Sequence, residues 1–299
     1  MLTGIQAVVI GGDARQLEVI QKFSEMDASV TLIGFDNLQT PFPGVRTASM
    51  SEEILSEADV IILPVVGTDD QGKINAVFSS DEIVLEQGHF NVLKQQCVVY
   101  TGMAKPFLRN ICTEHAIRLV EILERDDVAI YNSIPTAEGA ILLAIQNTDF
   151  TIHGSTCMVL GMGRTGFTLA RSLQGLGAQV HVGVRRKEQF ARAEEMNFHP
   201  FYTHTITKHV AQVDLLFNTI PDRIVTAQVI AAMPHRAVII DLASKPGGTD
   251  FRFAERRGIK AMLAPGLPGI VAPKTAGKII ANCVTDLILE EQRKKGASS

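Results

Sequence analysis

Along this chain, short β-branched and apolar runs alternate with longer stretches in which apolar residues recur every three or four positions. In the first half the runs are "QAVVIGG", "ASVTLIGF", "ADVIILPVV", "QCVVYTG" and "DVAIYN". In the second they are "CMVLGMG", "AQVHVGV", "VDLLFNTI", "AVIIDLA" and "IKAMLAPG". Each reads as a β-strand, and "RTGFTLARSLQGLG" and "RIVTAQVIAAM" read as the clearest helices between them. Strands that are apolar on both faces and separated by helices predict parallel sheets covered on both sides, because parallel neighbours need a crossover connection. The expected fold is therefore α/β, with two doubly wound, Rossmann-like domains.

The boundary between the halves falls in "SIPTAEGAILLAIQNTD". Thr136 there can cap a helix whose apolar Ala140, Ile141, Leu143, Ala144 and Ile145 run on without a break. The expectation is a first domain over 1–135, a hinge helix over 136–149, and a second domain over 150–273. Near the end of the chain, Ile279, Ile280, Cys283, Val284, Leu287 and Ile288 form a helical stripe, so a helix over 274–295 is expected to pack back on the first domain. Two compact units also suit the 299 residues, about twice the ~150-residue prior for one domain.

Composition narrows the partners. Hydrophobic residues make up 46% and charged residues 20%, a balance that belongs to a globular protein and confines expected disorder to the "RKKGASS" tail. A net charge of −4 gives no basic field for nucleic acid or acidic lipid, so a small-molecule partner is favoured. Cys97, Cys112, Cys157 and Cys283 are far apart and suggest neither a zinc knuckle nor a disulfide scaffold, which fits a reducing cytosol. The start "MLTGIQAVVIGGD" lacks a basic leader, and no apolar run approaches ~18 residues. A cytoplasmic protein with no membrane span is expected.

The most specific chemical signal is "VLGMGRTG" at 159–166. Gly161, Gly163 and Gly166 follow a strand and open a helix, the context that the dinucleotide fingerprint requires. Gly161 permits the tight turn, Gly163 lets backbone N–H groups approach a pyrophosphate, and Gly166 lets the helix lie close to the strand. Arg164 and Thr165 sit beside the same helix start, where phosphates meet the positive end of the dipole. At the end of the next strand, where an acid would accept from adenosine ribose hydroxyls, stand Arg185 and Arg186. A carboxylate there would repel a 2′-phosphate, whereas guanidinium groups bind it by charge-assisted bonds. NADP is therefore expected in preference to NAD.

"VVIGGDARQ" also places glycines after a strand, and Asp36 ends the following strand at a distance suited to a ribose contact. The spacing is nevertheless wrong: no third glycine follows Gly11 and Gly12, and Asp13 would set a negative charge where a phosphate belongs. Asp13 and Arg15 read either as substrate contacts or as a local ion pair. Ligands of open parallel sheets bind beyond the carboxyl ends of strands. In the second half those loops hold Asn218, Thr219, Pro221, Ala243 and Pro265, small or polar residues suited to a nicotinamide ribose. Lys245, the only cation in "LASKPGG", is the candidate for holding a substrate carboxylate or assisting proton transfer, against the alternative of a solvent-facing lysine. Backbone N–H groups at 136–138 would meet an anion, and Glu138 would serve as acid or base or merely complement the helix dipole. His199, His204 and His209 recur at steps of five, which puts no two on one helical face, so no metal is expected.

Taken together, "GGDARQ", "YNSIPTAEGAI", "VLGMGRTG", "DLLFNTIP", "IIDLASKPGGTDF" and "APGLPGIVAPKTAG" resemble the A-subunit of the dipicolinate synthases of spore-forming bacteria, across almost the whole chain. The arrangement is similar, more distantly, to two-domain dehydrogenases of the 2-hydroxyacid type. The resemblance implies oxidation of a 4-hydroxy-tetrahydrodipicolinate to pyridine-2,6-dicarboxylate during sporulation, in the mother cell, with reduction of a nicotinamide cofactor. It also implies a flavoprotein-like B-subunit of dipicolinate synthase for a partner, and a homo-oligomer is expected. Such a dianionic substrate needs cations, which Arg15, Lys245 and the hinge-helix amino terminus at Thr136 would supply. A rival reading is a nucleotide-sensing regulatory protein that binds NADP and leaves catalysis to the B-subunit.

Overall fold

Parallel strands and crossover helices account for both halves of the protein, which a computed structural model describes over residues 1–39 and 42–297. The first half holds β1 (Gln6–Ile10), α1 (Ala14–Glu25), β2 (Ser29–Ile33), β3 (Val45–Ala48), α2 (Glu52–Glu57) and β4 (Val60–Ile62). A short antiparallel hairpin, β5 (Lys73–Ile74) and β6 (Ile83–Val84), follows, then α3 (Gln87–Asn91), β7 (Val98–Thr101), α4 (Pro106–Glu114) and β8 (Arg118–Glu121). After α5 (Asp126–Gln146) come β9 (Thr156–Leu160), α6 (Arg164–Gly175), β10 (Gln179–Val184), α7 (Lys187–Glu195), β11 (His199–Tyr202) and β12 (Leu215–Asn218). The chain closes with α8 (Ala227–Ala231), β13 (Val238–Asp241), α9 (Phe251–Arg257), β14 (Lys260–Leu263), α10 (Leu267–Val271) and α11 (Pro273–Ala297).

The two large sheets have orders β3-β2-β1-β4-β7-β8 and β11-β10-β9-β12-β13-β14, and both are parallel throughout. Numbered from its own first strand, each is the 3-2-1-4-5-6 order of the dinucleotide-binding fold. In each sheet the order reverses beside the first strand, β1 in one and β9 in the other, and that reversal opens a crevice at the carboxyl ends. Central strands such as β9 and β12 are buried on both faces, as covered parallel sheets demand.

The protein divides into two compact units, residues 1–129 with 273–299, and residues 130–272. In the first, α11 lies along α1, and Ile280, Ala281, Val284 and Ile288 share a core with Val19, Ile20 and Phe23. Close approach is possible because Gly277 faces the Arg15 carbonyl, where a Cβ would come within 2.4 Å. In the second, Ala137, Ala140 and Ala144 of α5 join Val159, Leu169 and Phe217. By length and hydropathy α5 is, among the described residues, the one helix able to cross a membrane, and 39% of its most apolar window is buried within the protein.

Several local expectations are corrected. "DVAIYN" is not a strand but the opening turns of α5, where Asp126 and Asp127 complement the helix dipole. The helix consequently starts ten residues before Thr136, and the units part at 129/130 instead of 135/136. Pro135 sits inside the helix, which it tolerates while nearby hydroxyls engage the backbone: Ser133 Oγ donates to the Ile130 carbonyl and Thr136 Oγ1 to the Asn132 carbonyl. "RIVTAQVIAAM" is helical only over α8, and α11 continues as helix to Ala297 through the tail expected to be disordered. Ser298 and Ser299 lie outside the described residues. The strands that the hydrophobic pattern does not reveal are β3, β8 and β11, all at sheet edges, with the hairpin β5–β6. Edge strands bury little, and Pro200 in β11 is tolerated because an edge needs fewer ladder bonds.

Candidate dinucleotide site

The turn between β9 and α6 forms the floor of the site in the second unit. Gly161 has φ +97°, a left-handed conformation costly for other residues, and its N–H donates to the Gly183 carbonyl at 2.9 Å. Gly166 is required by packing, since a Cβ there would stand 2.1 Å from the Gly161 carbonyl oxygen. Gly163 differs from both. It is the N-cap of α6 with ordinary extended dihedrals, and a Cβ on it would meet nothing within 4 Å. No side chain caps this helix, and Gly163 leaves the space at its start free. No packing contact calls for glycine at 163, although an N-cap position favours it over alanine.

That space is a cavity of about 320 Å³, lined by Gly161, Met162, Gly163, Arg185, Thr219 and Asp222 among others. Thr219 Oγ1 donates to the Leu160 carbonyl at 2.8 Å, which fixes the β12 loop against the glycine turn. Arg185 and Arg186 follow β10, and Gln189 Oε1 accepts from both of their backbone N–H groups, at 3.4 and 3.3 Å. Their side chains are exposed and already paired: Arg185 with Asp222 at 2.6 Å, Arg186 with Glu188 at 3.1 Å. Arg164 is exposed and Thr165 half-buried at the helix start, and Pro221 is exposed beside Asp222.

Asn218, Ala243 and Lys245 are organised by a residue that the sequence pattern does not single out. Asp241, at the end of β13, is completely buried, and its carboxylate accepts from Asn218 Nδ2 (3.0 Å), Ala243 N (3.0 Å), Gly248 N (2.8 Å) and Thr249 Oγ1 (2.6 Å). Asn218, equally buried, uses its amide on both backbone groups of Ile220. One network of satisfied polar groups thus sets the 219–222 loop and the 243–249 loop together. The available signal is a charged residue ending an apolar strand, "VIID", which a central parallel strand allows only when the charge is fully bonded. Lys245 is exposed at the tip of that loop and forms no ion pair among the described residues. Pro265 is exposed after β14.

The remaining candidates are placed differently. Thr136 lies in the third turn of α5, so the N–H groups at 136–138 are consumed within the helix and present no anion site. Glu138 is exposed on the same helix. Asp13 and Arg15, in the first unit, form the local ion pair, with Arg15 Nε and Nη2 donating to the carboxylate at 2.9 and 2.7 Å. Burial pushes the Asp13 carboxyl upward, but the bonds from the Arg15 side chain and backbone and the guanidinium charge outweigh it and hold the pKa below its ordinary value. Asp36 accepts from Ser80, from its backbone N–H as well as its hydroxyl. Among the described residues no group of His, Cys, Asp and Glu is arranged to hold a metal; His199 lies tilted against His181, and His204 stacks on Tyr202 and His209 on Phe201. The four cysteines are free, and burial pushes Cys97 and Cys112 up to about 12 and Cys157 and Cys283 up to about 11, which excludes a resting thiolate.

Comparison with known proteins agrees with this geometry. Residues 6–123 match the family described as the N-terminal domain of the dipicolinate synthase A-subunit, and residues 145–298 match the alanine dehydrogenase/PNT C-terminal domain, a dehydrogenase-type domain that binds nicotinamide dinucleotides. The chain is 50% identical over 296 residues to the dipicolinate synthase A-subunit of Bacillus subtilis, covering 99% of this chain and all of the relative. The crystal structure of the dipicolinate synthase A-subunit from Bacillus halodurans superposes with TM-score 0.94 at 51% identity, over 96% of this chain and 98% of the other. That of the Bacillus subtilis protein does so with TM-score 0.94 at 50% identity, over 98% and 99%. With both units matched in order and the relatives matched end to end, the chain belongs to the A-subunit family of the dipicolinate synthases.

Proposed function

We propose that this chain is the NADP-dependent oxidoreductase component that turns 4-hydroxy-tetrahydrodipicolinate into dipicolinate during sporulation, in the mother-cell cytoplasm and together with a second, different polypeptide. The observation that carries the reading is Gly163: an absent side chain facing open space at an uncapped helix start, in a dehydrogenase-type domain. The name of the Bacillus subtilis relative, the A-subunit of a synthase, supports the product and the existence of a partner polypeptide.

Gly161, Gly163, Thr165 and Gly166 would hold the pyrophosphate at the start of α6, and Arg185 and Arg186 would hold the 2′-phosphate. Thr219, Ala243 and Pro265 would hold the nicotinamide half. The bound nicotinamide supplies a hydride acceptor. Loss of the hydroxyl as water gives a dihydropyridine, and removal of one hydride and one proton makes the ring aromatic. Lys245, exposed on a loop whose base is locked by Asp241, holds a substrate carboxylate or relays that proton. Purified chain, with and without the B-subunit, is to be given substrate and NADP. The reading expects a substrate-dependent rise in reduced-nicotinamide absorbance; no turnover in either mixture overturns it.

A further inference from the structure

Arg185 and Asp222 reach the same cavity from different elements, one from the end of β10 and the other from the loop between β12 and α8. Arg185 Nη2 donates to Asp222 Oδ2 at 2.6 Å, so the ion pair spans the adenosine end of the crevice. Asp222 is the only carboxylate among the described residues lining that cavity. Its backbone is held close to the 243–249 loop: a Cβ on Gly248 would come within 2.4 Å of the Asp222 carbonyl oxygen. Arg186 is turned to Glu188 on its own helix and does not share Asp222.

The geometry points to Asp222 as the residue that sets the preference between phosphorylated and unphosphorylated dinucleotide. This rests on the dinucleotide reading of the site and goes beyond it. An adenosine ribose with a free 2′-hydroxyl donates to the Asp222 carboxylate while Arg185 stays paired, so the acid that the strand end lacks arrives from the neighbouring loop. A 2′-phosphate must instead take Arg185 away from Asp222 and then lie beside a like charge. Asp222 thus favours NAD and opposes NADP, and the two arginines pull the other way. Because both side chains are more than half exposed, solvent screens the competition, and its size is that of a surface pair instead of a buried one.

The test is titration calorimetry of full-length protein with NADP and with NAD, in the wild type, Asp222→Asn, Asp222→Ala and Arg185→Ala. Each site is exposed, and circular dichroism confirms that the variants fold. Removing the carboxylate is expected to shift the ratio of the two dissociation constants toward NADP by about fivefold to tenfold, with tighter NADP and weaker NAD. Raising the salt concentration shrinks the shift. A ratio that stays within about twofold of the wild type in both Asp222 variants, or moves toward NAD, overturns the inference. If Arg185→Ala weakens NADP while the Asp222 variants leave the ratio alone, the inference alone falls. If the wild type binds neither coenzyme, the dinucleotide reading falls with it.

Discussion

The turns after the first strand of each sheet, residues 11–13 and 161–163, begin from the same topology and end in opposite chemistry. Each follows the central strand at which its sheet reverses order, and each leads into a twelve-residue helix, α1 or α6. The two N-caps even share a backbone conformation: Asp13 at φ −117°, ψ −165°, and Gly163 at φ −90°, ψ −163°. In the first unit the cap is a side chain, with Asp13 accepting from the Arg15 N–H. The neighbouring chain also closes the turn, since Gly12 N donates to the Asn75 carbonyl at 2.7 Å, Val77 N donates to the Gly12 carbonyl at 2.9 Å, and Gly12 bridges Ala76. The N–H groups of Gly12 and Arg15, which a phosphate would otherwise meet, are thus already satisfied. In the second unit no side chain caps the helix, so the same donors remain for a ligand. Fold alone therefore does not decide whether the turn is closed; the occupant of one cap position does.

The sharpest way to break this contrast is to give the second turn the cap of the first. In Gly163→Asp the new side chain has room, so the helix is expected to keep its stability or gain a few tenths of a kcal/mol, because a capping acid slightly outperforms glycine. Coenzyme affinity is expected to fall at least roughly a hundredfold, since a carboxylate occupies the pyrophosphate position. Calorimetric titration and thermal unfolding on the same sample read both quantities, and a variant that binds as tightly as the wild type refutes the assignment of Gly163.

Gly166→Ala probes the neighbouring glycine, whose reason is internal. A Cβ there collides with the Gly161 carbonyl, so unfolding in denaturant should show a loss of roughly 1–3 kcal/mol. Gly163→Ala, by contrast, should cost less, about 0.5 kcal/mol, the N-cap preference for glycine over alanine. Equal losses at both positions would mean that Gly163 also serves packing.

A third experiment addresses the adenosine end. Arg185→Ala with Arg186→Ala should weaken NADP by about tenfold to a hundredfold and NAD far less, because the lost charge-assisted bonds go to the 2′-phosphate. Matched losses for the two coenzymes would count against NADP.

The smallest expected effect lies in the closed turn. Asp13→Asn keeps a capping oxygen and removes only the charge paired with Arg15, for about 1 kcal/mol at pH 7. Because the folded pKa of Asp13 is lowered, its ionic contribution is fully present above the unfolded value near ~3.9 and is lost as pH falls through the lower folded value. The stability gap between wild type and variant should accordingly close in acid; a gap that is constant with pH would show that the ion pair adds nothing.

Why some of this is legible in the sequence, and some is not, follows from where information is stored. Central strands announce themselves because both faces are buried, as in "VIID" and "LLFN". The glycine spacing is legible because turn, cradle and helix packing each need a missing Cβ at a fixed offset. Edge strands carry little apolar signal, so β3, β8 and β11 stay hidden. The start of α5 is misplaced by sequence pattern because Pro135 and Thr136 have the form of a helix start, while the acids Asp126 and Asp127 open the helix about ten residues upstream and Pro135 is tolerated inside. Asp222 and Asp241 act through partners distant in sequence or across a loop, Arg185 and Gly248 among them, and no local pattern records such pairings. The closure of the first turn by residues 75–77 is likewise a long-range event; only the wrong glycine spacing and Asp13 hint at it.

The central claim is that a nicotinamide dinucleotide lies on the open turn at Gly163. Titration of NADP and NAD into full-length, folded protein tests it most directly, with the Gly163→Asp variant for a control. Saturable one-site binding by the wild type, tighter for NADP, and binding at least roughly a hundredfold weaker by the variant are expected. Absence of binding for both coenzymes in the wild type, or undiminished binding in the variant, would contradict it.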